Sequence, residues 1–186
     1  MIIRDALEAD LPAIVEIYNE AIRGRMSTAQ LDEVSVAERL PWFRQHSAKS
    51  HPLWVTEIDG QIAGWFSFHP FIKRAAYGGT AEISVYVSER FRRRGVGKRL
   101  MEKAIAHSPE LKLSVLLGLI FEHNEASLHL FERMGFERWG FLPRVACVEG
   151  RDRGVMIVGR QIAHCVSSGT ETPVSVIREA PSRTRL

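Results

Sequence analysis

The first half of the chain alternates between a hydrophobic period typical of helices and one typical of strands. Apolar side chains first recur at helical spacing after an acidic, proline-containing start. A second helix is predicted from Ser35 to Gln45, and Pro41 would bend or interrupt it. Two strand-like runs, Leu53 to Ile58 and Gln61 to Phe68, flank Asp59-Gly60, a dipeptide typical of a two-residue hairpin turn. The first helical period is set by Leu11, Ile14, Val15, Tyr18 and Ile22.

The second half predicts alternating strands and helices followed by a polar tail. The β-branched run from Ile83 to Val87 is typical of a strand, and an amphipathic helix follows it from Val96. The apolar run from Ser114 to Ile120 indicates a buried strand. After Gln161 the composition shifts to Ser, Thr, Pro and Arg, so residues 1–162 are expected to form one domain and residues 163–186 a tail without a core role. Further strands are predicted at Met1 to Arg4, Glu137 to Phe141 and Arg153 to Arg160, and a helix from Leu128 to Met134.

Length and composition favour one soluble domain. A chain of 186 residues with 45% apolar content can bury one full core but is short for two ordinary domains. No stretch approaches the roughly 18 apolar residues of a membrane span, and the amino terminus lacks the apolar centre of a signal peptide. Cys147 and Cys165 have neither CxxC nor metal-ligand spacing. We therefore expect no metal site, no membrane partner and a cytoplasmic location.

The basic charge of the chain is concentrated in one short window. The net charge is +3, but residues 90–99 include Arg90, Arg92, Arg93, Arg94, Lys98 and Arg99, so the remaining residues together carry a charge of −3. A nucleic-acid-binding protein would spread basic and aromatic residues over a face. One dense patch suits a small polyphosphate better, and a solvated charge run remains the alternative. No nucleic-acid partner is expected.

A glycine-bearing loop opens the helix at Val96. The first four N–H groups of a helix have no internal partner and commonly bind phosphate. A Walker A loop is excluded, because Arg92 stands where its first glycine is required and Arg99 where Ser or Thr is required. A dinucleotide-binding fingerprint is excluded because Leu100 replaces its third glycine. The remaining pattern, Arg-x-x-Gly-x-Gly, predicts an anion-binding loop, although a plain turn is also possible. The loop reads Arg92, Arg93, Arg94, Gly95, Val96, Gly97 and Lys98.

Polar residues also mark the start of the next predicted helix. Asn124 and Ser127 precede the apolar positions of that helix, which ends at Gly135-Phe136. Asn124 or Ser127 could be a simple helix N-cap, and Gly135 a helix C-cap. Capping and ligand binding use the same groups, so both roles can hold together.

A carboxylate lies beside two hydroxyls on the strand that precedes the glycine loop. Successive side chains of a strand point to opposite faces. One face of this strand therefore carries Glu82, Ser84 and Tyr86, and the other carries Ile83, Val85 and Val87.

The order of these features resembles that of the GNAT acetyltransferase superfamily. The resemblance implies an α/β acyl-CoA N-acyltransferase fold, in which a mixed, mostly antiparallel twisted sheet of about six to seven strands is flanked by about four helices. The sheet would be splayed between its fourth and fifth strands. Acetyl-CoA would be the acyl donor, with its pyrophosphate on the glycine loop. Its pantetheine arm would lie along Val85, Tyr86 and Val87 and contact Asn124 and Ser127.

Within this superfamily the chain resembles the phosphinothricin N-acetyltransferase group, from Ile3 to about Gln161. The resemblance is strongest at Phe71 to Tyr77 and Thr80 to Val87. It implies that Glu82 is the general base, because an amine with a pKa of roughly 10 must lose a proton before it can attack a thioester. It also implies a homodimer. The substrate-contacting positions would be Arg74, Tyr77, Ser84 and Phe131.

Two positions depart from the patterns of these enzymes. Phe131 stands where many GNAT enzymes have a tyrosine that protonates the departing thiolate, and phenylalanine cannot donate a proton. Tyr86 is the alternative donor. Ile72 occupies a place that is basic in the phosphinothricin enzymes, so detoxification of that herbicide does not follow.

The sequence therefore predicts transfer of an acetyl group from acetyl-CoA to the primary amine of a small, amino-acid-like molecule. In this prediction Arg74 binds the substrate carboxylate, Glu82 deprotonates the amine and a strand amide near Tyr86 polarises the thioester carbonyl. A GNAT enzyme for peptide amino termini or polyamines is one alternative. A non-catalytic acyl-CoA sensor is another, and Phe131 gives it some support.

Overall fold

The computed structural model describes residues 1–162, and the expected tail at 163–186, with Cys165, lies outside the described residues. The division at residue 162 therefore stays a prediction. The strands are β1 (Ile2–Asp5), β2 (Leu53–Ile58), β3 (Gln61–Pro70), β4 (Thr80–Val87), β5 (Val115–Phe121), β6 (Glu137–Val148) and β7 (Arg151–Gln161), and the helices are α1 (Leu11–Arg23), α2 (Val36–Phe43), α3 (Val96–His107) and α4 (Glu125–Arg133).

All strands of the described part join one sheet in the order β1-β2-β3-β4-β5-β7-β6. Every neighbouring pair is antiparallel except β4 and β5. A parallel pair requires a crossover connection, and α3 lies in that connection. The predicted fold class, a mixed and mostly antiparallel sheet flanked by helices, is confirmed.

The parallel pair β4 and β5 separates along its length. Its pairing runs only from Thr80 with Val115 to Glu82 with Leu117. Beyond Glu82 the facing backbone edges of the two strands have no strand partner within residues 1–162. The predicted splay between the fourth and fifth strands is therefore present, and it begins at Glu82.

Two hydrophobic clusters cover the two faces of the sheet. On one face α1 buries Leu11, Ile14 and Ile22 against Val55 and Trp65. On the other face α3 and α4 pack over a larger cluster that includes Phe66, Phe68, Ile83, Leu100, Leu116 and Phe131. Helices α1, α3 and α4 thus present the apolar stripes that their sequence periods predicted.

Local signals place most elements correctly. Asp59 and Gly60 form the tight turn between β2 and β3 with φ of 50° and 73°, as an Asp-Gly hairpin requires. Ser35 caps α2, since its side chain accepts from the Glu38 N–H at 3.2 Å and its own N–H donates to the Glu38 carboxylate at 2.7 Å. Helix α2 continues through Pro41, so of the two effects predicted for this proline the interruption is wrong and the bend stays a prediction.

The strands β6 and β7 are longer than predicted. They pair from Glu137 with Gly159 to Val148 with Arg151, around a turn at Glu149-Gly150. Most side chains of β6 are exposed. An edge strand with both faces largely open has no strict alternation of apolar and polar residues, so its second half gave no strand signal.

Candidate functional site

A cleft opens where β4 and β5 separate. It encloses about 410 Å³ of empty space, part of it open to solvent. Six of its lining positions were predicted as site residues: Ser84, Val85, Tyr86, Asn124, Ser127 and Phe131. Its remaining lining residues are Ser27, Ile83, Leu119, Ile120 and Phe121.

The inner edge of β4 presents two peptide groups to this cleft. The Ser88 N–H donates to the Ala63 carbonyl of β3 at 3.0 Å. Antiparallel pairs alternate between hydrogen-bonded and non-bonded positions. The backbone N–H and C=O groups of Tyr86 therefore also bond to β3, whereas those of Val85 and Val87 point away from β3. The strand amides available to a ligand are therefore those of Val85 and Val87, on either side of Tyr86.

The glycine loop lies at the end of β4 and delivers the N-terminus of α3. Arg93 and Gly95 adopt positive φ of 62° and 77°, which turn the chain into the helix. The first backbone hydrogen bond of α3 is donated by the Arg99 N–H to the Gly95 carbonyl. The preceding amides of α3 lie within its unpaired first turn. The basic side chains Arg92, Arg93, Arg94 and Lys98 around it are exposed or half-exposed.

The loop glycine inside α3 also has a packing role. A Cβ atom on Gly97 would lie 3.2 Å from Leu130 of α4 and 3.6 Å from Val87 of β4. Val96 is buried. The small residue therefore lets the first turn of α3 approach α4 and β4 closely.

The start of α4 is fixed by Asn124. Its side-chain oxygen accepts from the Ser127 N–H at 3.1 Å, which is the expected helix cap. Its amide nitrogen donates to the Ser27 hydroxyl at 3.4 Å, across the cleft from α4. The capping residue Asn124 thus also forms a hydrogen bond to the α1–α2 connection at Ser27.

Glu82 lies at the point where the strands separate. It is half-buried, and burial raises the pKa of its carboxyl group. Its cross-strand partner on β3 is His69, and the Nε2 atom of His69 lies 2.9 Å from the Ser67 hydroxyl. Burial, with the nearby His46 and Arg39, lowers the pKa of His69 to about 4, so this histidine is neutral at pH 7. A raised pKa makes a carboxylate a better proton acceptor.

Tyr86 lies on the same face of β4 as Glu82, four residues nearer the glycine loop. Its ring packs 4.5 Å from that of Trp65 and edge-on to Tyr18 at 5.3 Å. Its hydroxyl donates to the Ser27 carbonyl at 3.4 Å. Burial, and then the nearby Tyr18, raises the pKa of Tyr86, so its hydroxyl keeps its proton at neutral pH.

The other predicted substrate contacts differ in position. Phe131 is only 3% exposed and packs against Phe136 and the backbone of Gly118. It therefore forms an apolar wall of the cleft. Arg74 and Tyr77 lie in the exposed connection between β3 and β4, outside the residues that line the cleft.

The sequence missed Ser27, which lines the cleft from the α1–α2 connection. It also missed Ser67 and His69 of β3, which pair with Ser84 and Glu82 of β4. The alternation along β3 could have placed Ser67 and His69 on one face, but not opposite Glu82, because the long connection after β3 hid the register.

None of the helices within the described ranges is long and apolar enough to cross a membrane. Among residues 1–162, no group of three or more His, Cys, Asp or Glu side chains could hold a metal ion.

Comparison with known proteins shows the family. The Acetyltransferase (GNAT) family matches residues 11–136 of the chain. A Bacillus subtilis relative, named only provisionally as a phosphinothricin acetyltransferase, is 42% identical over 164 residues, which are 88% of this chain and 100% of the relative. The L-methionine sulfoximine/L-methionine sulfone acetyltransferase of Pseudomonas paraeruginosa is 34% identical over 80% of this chain and 87% of its own.

Solved structures agree with this similarity. The GNAT superfamily phosphinothricin acetyltransferase from Sinorhizobium meliloti, solved with acetyl-CoA, superimposes with a TM-score of 0.84 and 27% identity, over 91% of this chain and 93% of that chain. The predicted resemblance, fold and enzyme class are confirmed. With the splayed β4 and β5, the glycine loop and these relatives together, the chain belongs to the GNAT acetyltransferase family.

Proposed function

We propose that this enzyme transfers the acetyl group of acetyl-CoA to the primary amine of a small, amino-acid-like substrate, with Glu82 as the general base. One observation carries the proposal: a half-buried carboxylate with a raised pKa lies where the strands begin to separate. The names of the relatives support the substrate class, since methionine sulfoximine and phosphinothricin are both amino-acid-like amines.

The cofactor half of the cleft fits acetyl-CoA. The amides from Arg94 to Lys98 offer donors to its pyrophosphate, and the surrounding basic side chains suit its remaining phosphate. The exposed peptide groups of Val85 and Val87 would pair with the pantetheine arm as an added strand would. Asn124 and Ser127 border the far side of the same path.

In the proposed reaction, acetyl-CoA supplies the activated acyl group as a thioester. Glu82 accepts a proton from the substrate ammonium, directly or through a water molecule, and the free amine attacks the thioester carbonyl. The N–H of Val85 or Val87 donates to the carbonyl oxygen as it gains negative charge. As a new C–N bond replaces the C–S bond, the Tyr86 hydroxyl donates a proton to the departing thiolate, and the second proton that the attacking nitrogen loses restores this hydroxyl. The net proton released is the one that Glu82 accepted. Ser84 lines the path between Glu82 and Tyr86.

A sensor that binds acyl-CoA without turnover is the second candidate. Phe131 occupies the wall where many GNAT enzymes place a proton-donating tyrosine, and it is buried. Thiols have a pKa near 8.5, so a thiolate can leave near neutral pH without that tyrosine. We therefore favour the enzyme. Arg74 and Tyr77 stay predictions that rest on the resemblance alone.

The enzyme is expected to release free thiol from acetyl-CoA only with particular amines. We propose to measure this release with L-amino acids, L-methionine sulfoximine, phosphinothricin, polyamines and a short peptide. Turnover confined to one or a few amino-acid-like amines is the expected result. A preference for polyamines or the peptide would replace the substrate class, and binding of acetyl-CoA without any turnover would favour the sensor.

We also propose a homodimer in the reducing cytoplasm, where the exposed thiol of Cys147 would stay unpaired. The edge strand β6 exposes a run of apolar side chains, with Phe141 46% and Val145 58% exposed. Such a patch is typical of an interface. Sedimentation equilibrium is expected to give twice the mass of one chain, and Phe141→Ser to shift it towards one chain. A single-chain mass for the unmodified protein would contradict the dimer.

A further inference from the structure

A cationic side chain on α2 is enclosed by aromatic rings without an acidic partner. The guanidinium carbon of Arg39 lies 4.4 Å from the ring centre of Tyr18 and 4.1 Å from that of Trp42. Its Nε is shielded from solvent and has no hydrogen-bond partner among the described residues. No carboxylate of residues 1–162 lies within 4.0 Å of it.

Other arginines near the same helices are paired. Arg4 binds Asp10 at 2.6 Å and Arg23 binds Glu16 at 2.8 Å. Arg44, one turn beyond Arg39, reaches Glu8 at 3.4 Å in an exposed contact. Arg39 is half-buried, as Arg4 is, but it has no carboxylate partner among residues 1–162, and burial lowers the pKa of its guanidinium. A buried charge without a partner is unfavourable and is commonly found where a ligand completes the site.

Arg39 lies over the sheet face that bears the proposed base. Trp42 and His46 of the same helical region contact the ring of His69, at 6.0 and 5.0 Å between ring centres. His69 is the strand partner of Glu82. The charge of Arg39 also acts on Tyr86, which lines the cleft. Tyr18 and Trp42, the two rings that Arg39 contacts, pack in turn on Tyr86 and Trp65, so the guanidinium lies on the side of the sheet that bears Glu82, Ser84 and Tyr86.

The ring centres of Tyr18 and Trp42 both lie within 4.4 Å of the guanidinium carbon. A guanidinium that packs on aromatic rings keeps its N–H groups in its own plane, where they can hold a carboxylate as a fork. The ionisable neighbours on this face add no second positive charge, because burial lowers the pKa of both His46 and His69. One fixed positive charge suits one monoanionic group.

We propose that Arg39 binds the carboxylate of the amine substrate and thereby sets the preference for amino acids over simple amines. This inference rests on the proposed function and assigns its carboxylate contact to α2 instead of to the exposed Arg74. A purely structural arginine, which only joins α2 to α1 through its two aromatic contacts, is the competing explanation. Only carboxylate binding makes the preference for an acid over its carboxamide depend on Arg39. A structural role would instead affect the melting temperature.

The test compares L-methionine sulfoximine with its carboxamide, which keeps the amine but has no carboxylate. The unmodified enzyme is expected to prefer the acid by about a hundredfold in kcat/KM, as for a buried charge pair. Arg39→Met keeps the apolar stem and is expected to abolish this preference while the KM for acetyl-CoA stays unchanged. Arg39→Lys is expected to keep part of it, and Arg44→Met, the exposed control, all of it.

Three results would overturn the inference. One is an Arg39→Met enzyme that keeps the full preference for the acid, even with a lowered melting temperature, since that marks a structural role. Another is an Arg74→Met enzyme that loses the preference while Arg39→Met keeps it. Equal use of acid and carboxamide by the unmodified enzyme would also reject carboxylate recognition, but it would leave the acetyltransferase function intact.

A failure of the proposed function gives a different pattern. If no amine is acetylated, calorimetric titration of L-methionine sulfoximine into the unmodified and Arg39→Met proteins, each saturated with CoA, decides the role of Arg39. Binding that disappears in the variant supports the carboxylate site. Equal binding to both proteins, or no binding to the unmodified protein, rejects it.

Discussion

Replacing Glu82 with glutamine is expected to lower kcat about a thousandfold while acetyl-CoA affinity changes little. General bases contribute about 10² to 10⁴ in rate, and glutamine keeps the size of the side chain but cannot accept the proton. The glycine loop and the edges of Val85 and Val87 lie further along the cleft, so the cofactor half should be undisturbed. Steady-state kinetics with a saturating amine and a separate titration of acetyl-CoA measure the two effects.

The pH dependence gives a second expected result for the same residue. Only the deprotonated carboxylate can accept a proton, and burial raises the pKa of Glu82. The kcat/KM of the unmodified enzyme should therefore fall as the pH drops through a value above the ordinary range of glutamic acid. In Glu82→Gln this acidic decline should be absent, because glutamine does not titrate.

Glu137→Gln is the matched control, since this carboxylate lies on an exposed strand position of β6. It should leave both kcat and the pH profile unchanged. Normal turnover of Glu82→Gln at saturating amine would remove Glu82 from the mechanism, whatever the control shows.

Gly64→Ala is expected to destabilise the fold by about 2 to 3 kcal/mol and to weaken acetyl-CoA binding about tenfold or more. The added Cβ would lie 2.7 Å from the carbonyl oxygen of Tyr86, 3.0 Å from a methyl of Val96 and 3.3 Å from the Cα of Val87. Two of these atoms belong to the backbone of β4, which cannot rotate away as a side chain can. The strand that forms one wall of the cleft must shift instead.

Thermal unfolding and acetyl-CoA titration measure these two effects. Gly140→Ala on β6 is the control, because its Cβ would meet only side-chain atoms of Ile157 at 3.5 Å or more, an ordinary contact distance. It should alter neither property appreciably. A Gly64→Ala protein with normal stability and normal acetyl-CoA affinity would show that β4 does not have to hold its present position.

Much of the cofactor half was predictable because its signals are local. The Arg-x-x-Gly-x-Gly loop, the helix after it and the cap at Asn124 each depend on residues within a few positions of one another. Such patterns fix backbone conformation and free N–H groups without reference to the rest of the fold. The alternation along β4 likewise placed Glu82, Ser84 and Tyr86 on one face.

The substrate half depended on contacts between distant parts of the chain. The sequence pointed to Arg74 through resemblance, but it gave no sign that Arg39 would lie between Tyr18 and Trp42. The partnership of His69 with Glu82 depends on the register across β3 and β4, which a nine-residue connection between these strands leaves open to local patterns.

The sequence by itself thus determined the family, the order of the elements, the glycine loop before α3 and the face on which the candidate base lies. Only the tertiary structure decided that the strands separate at Glu82, that Val85 and Val87 turn their peptide groups into the cleft, and that Arg39 is half-buried against Tyr18 and Trp42. The physical reason is that periodicity records which side of an element is buried, whereas strand register, splay and charge pairing arise from packing between elements far apart in the chain.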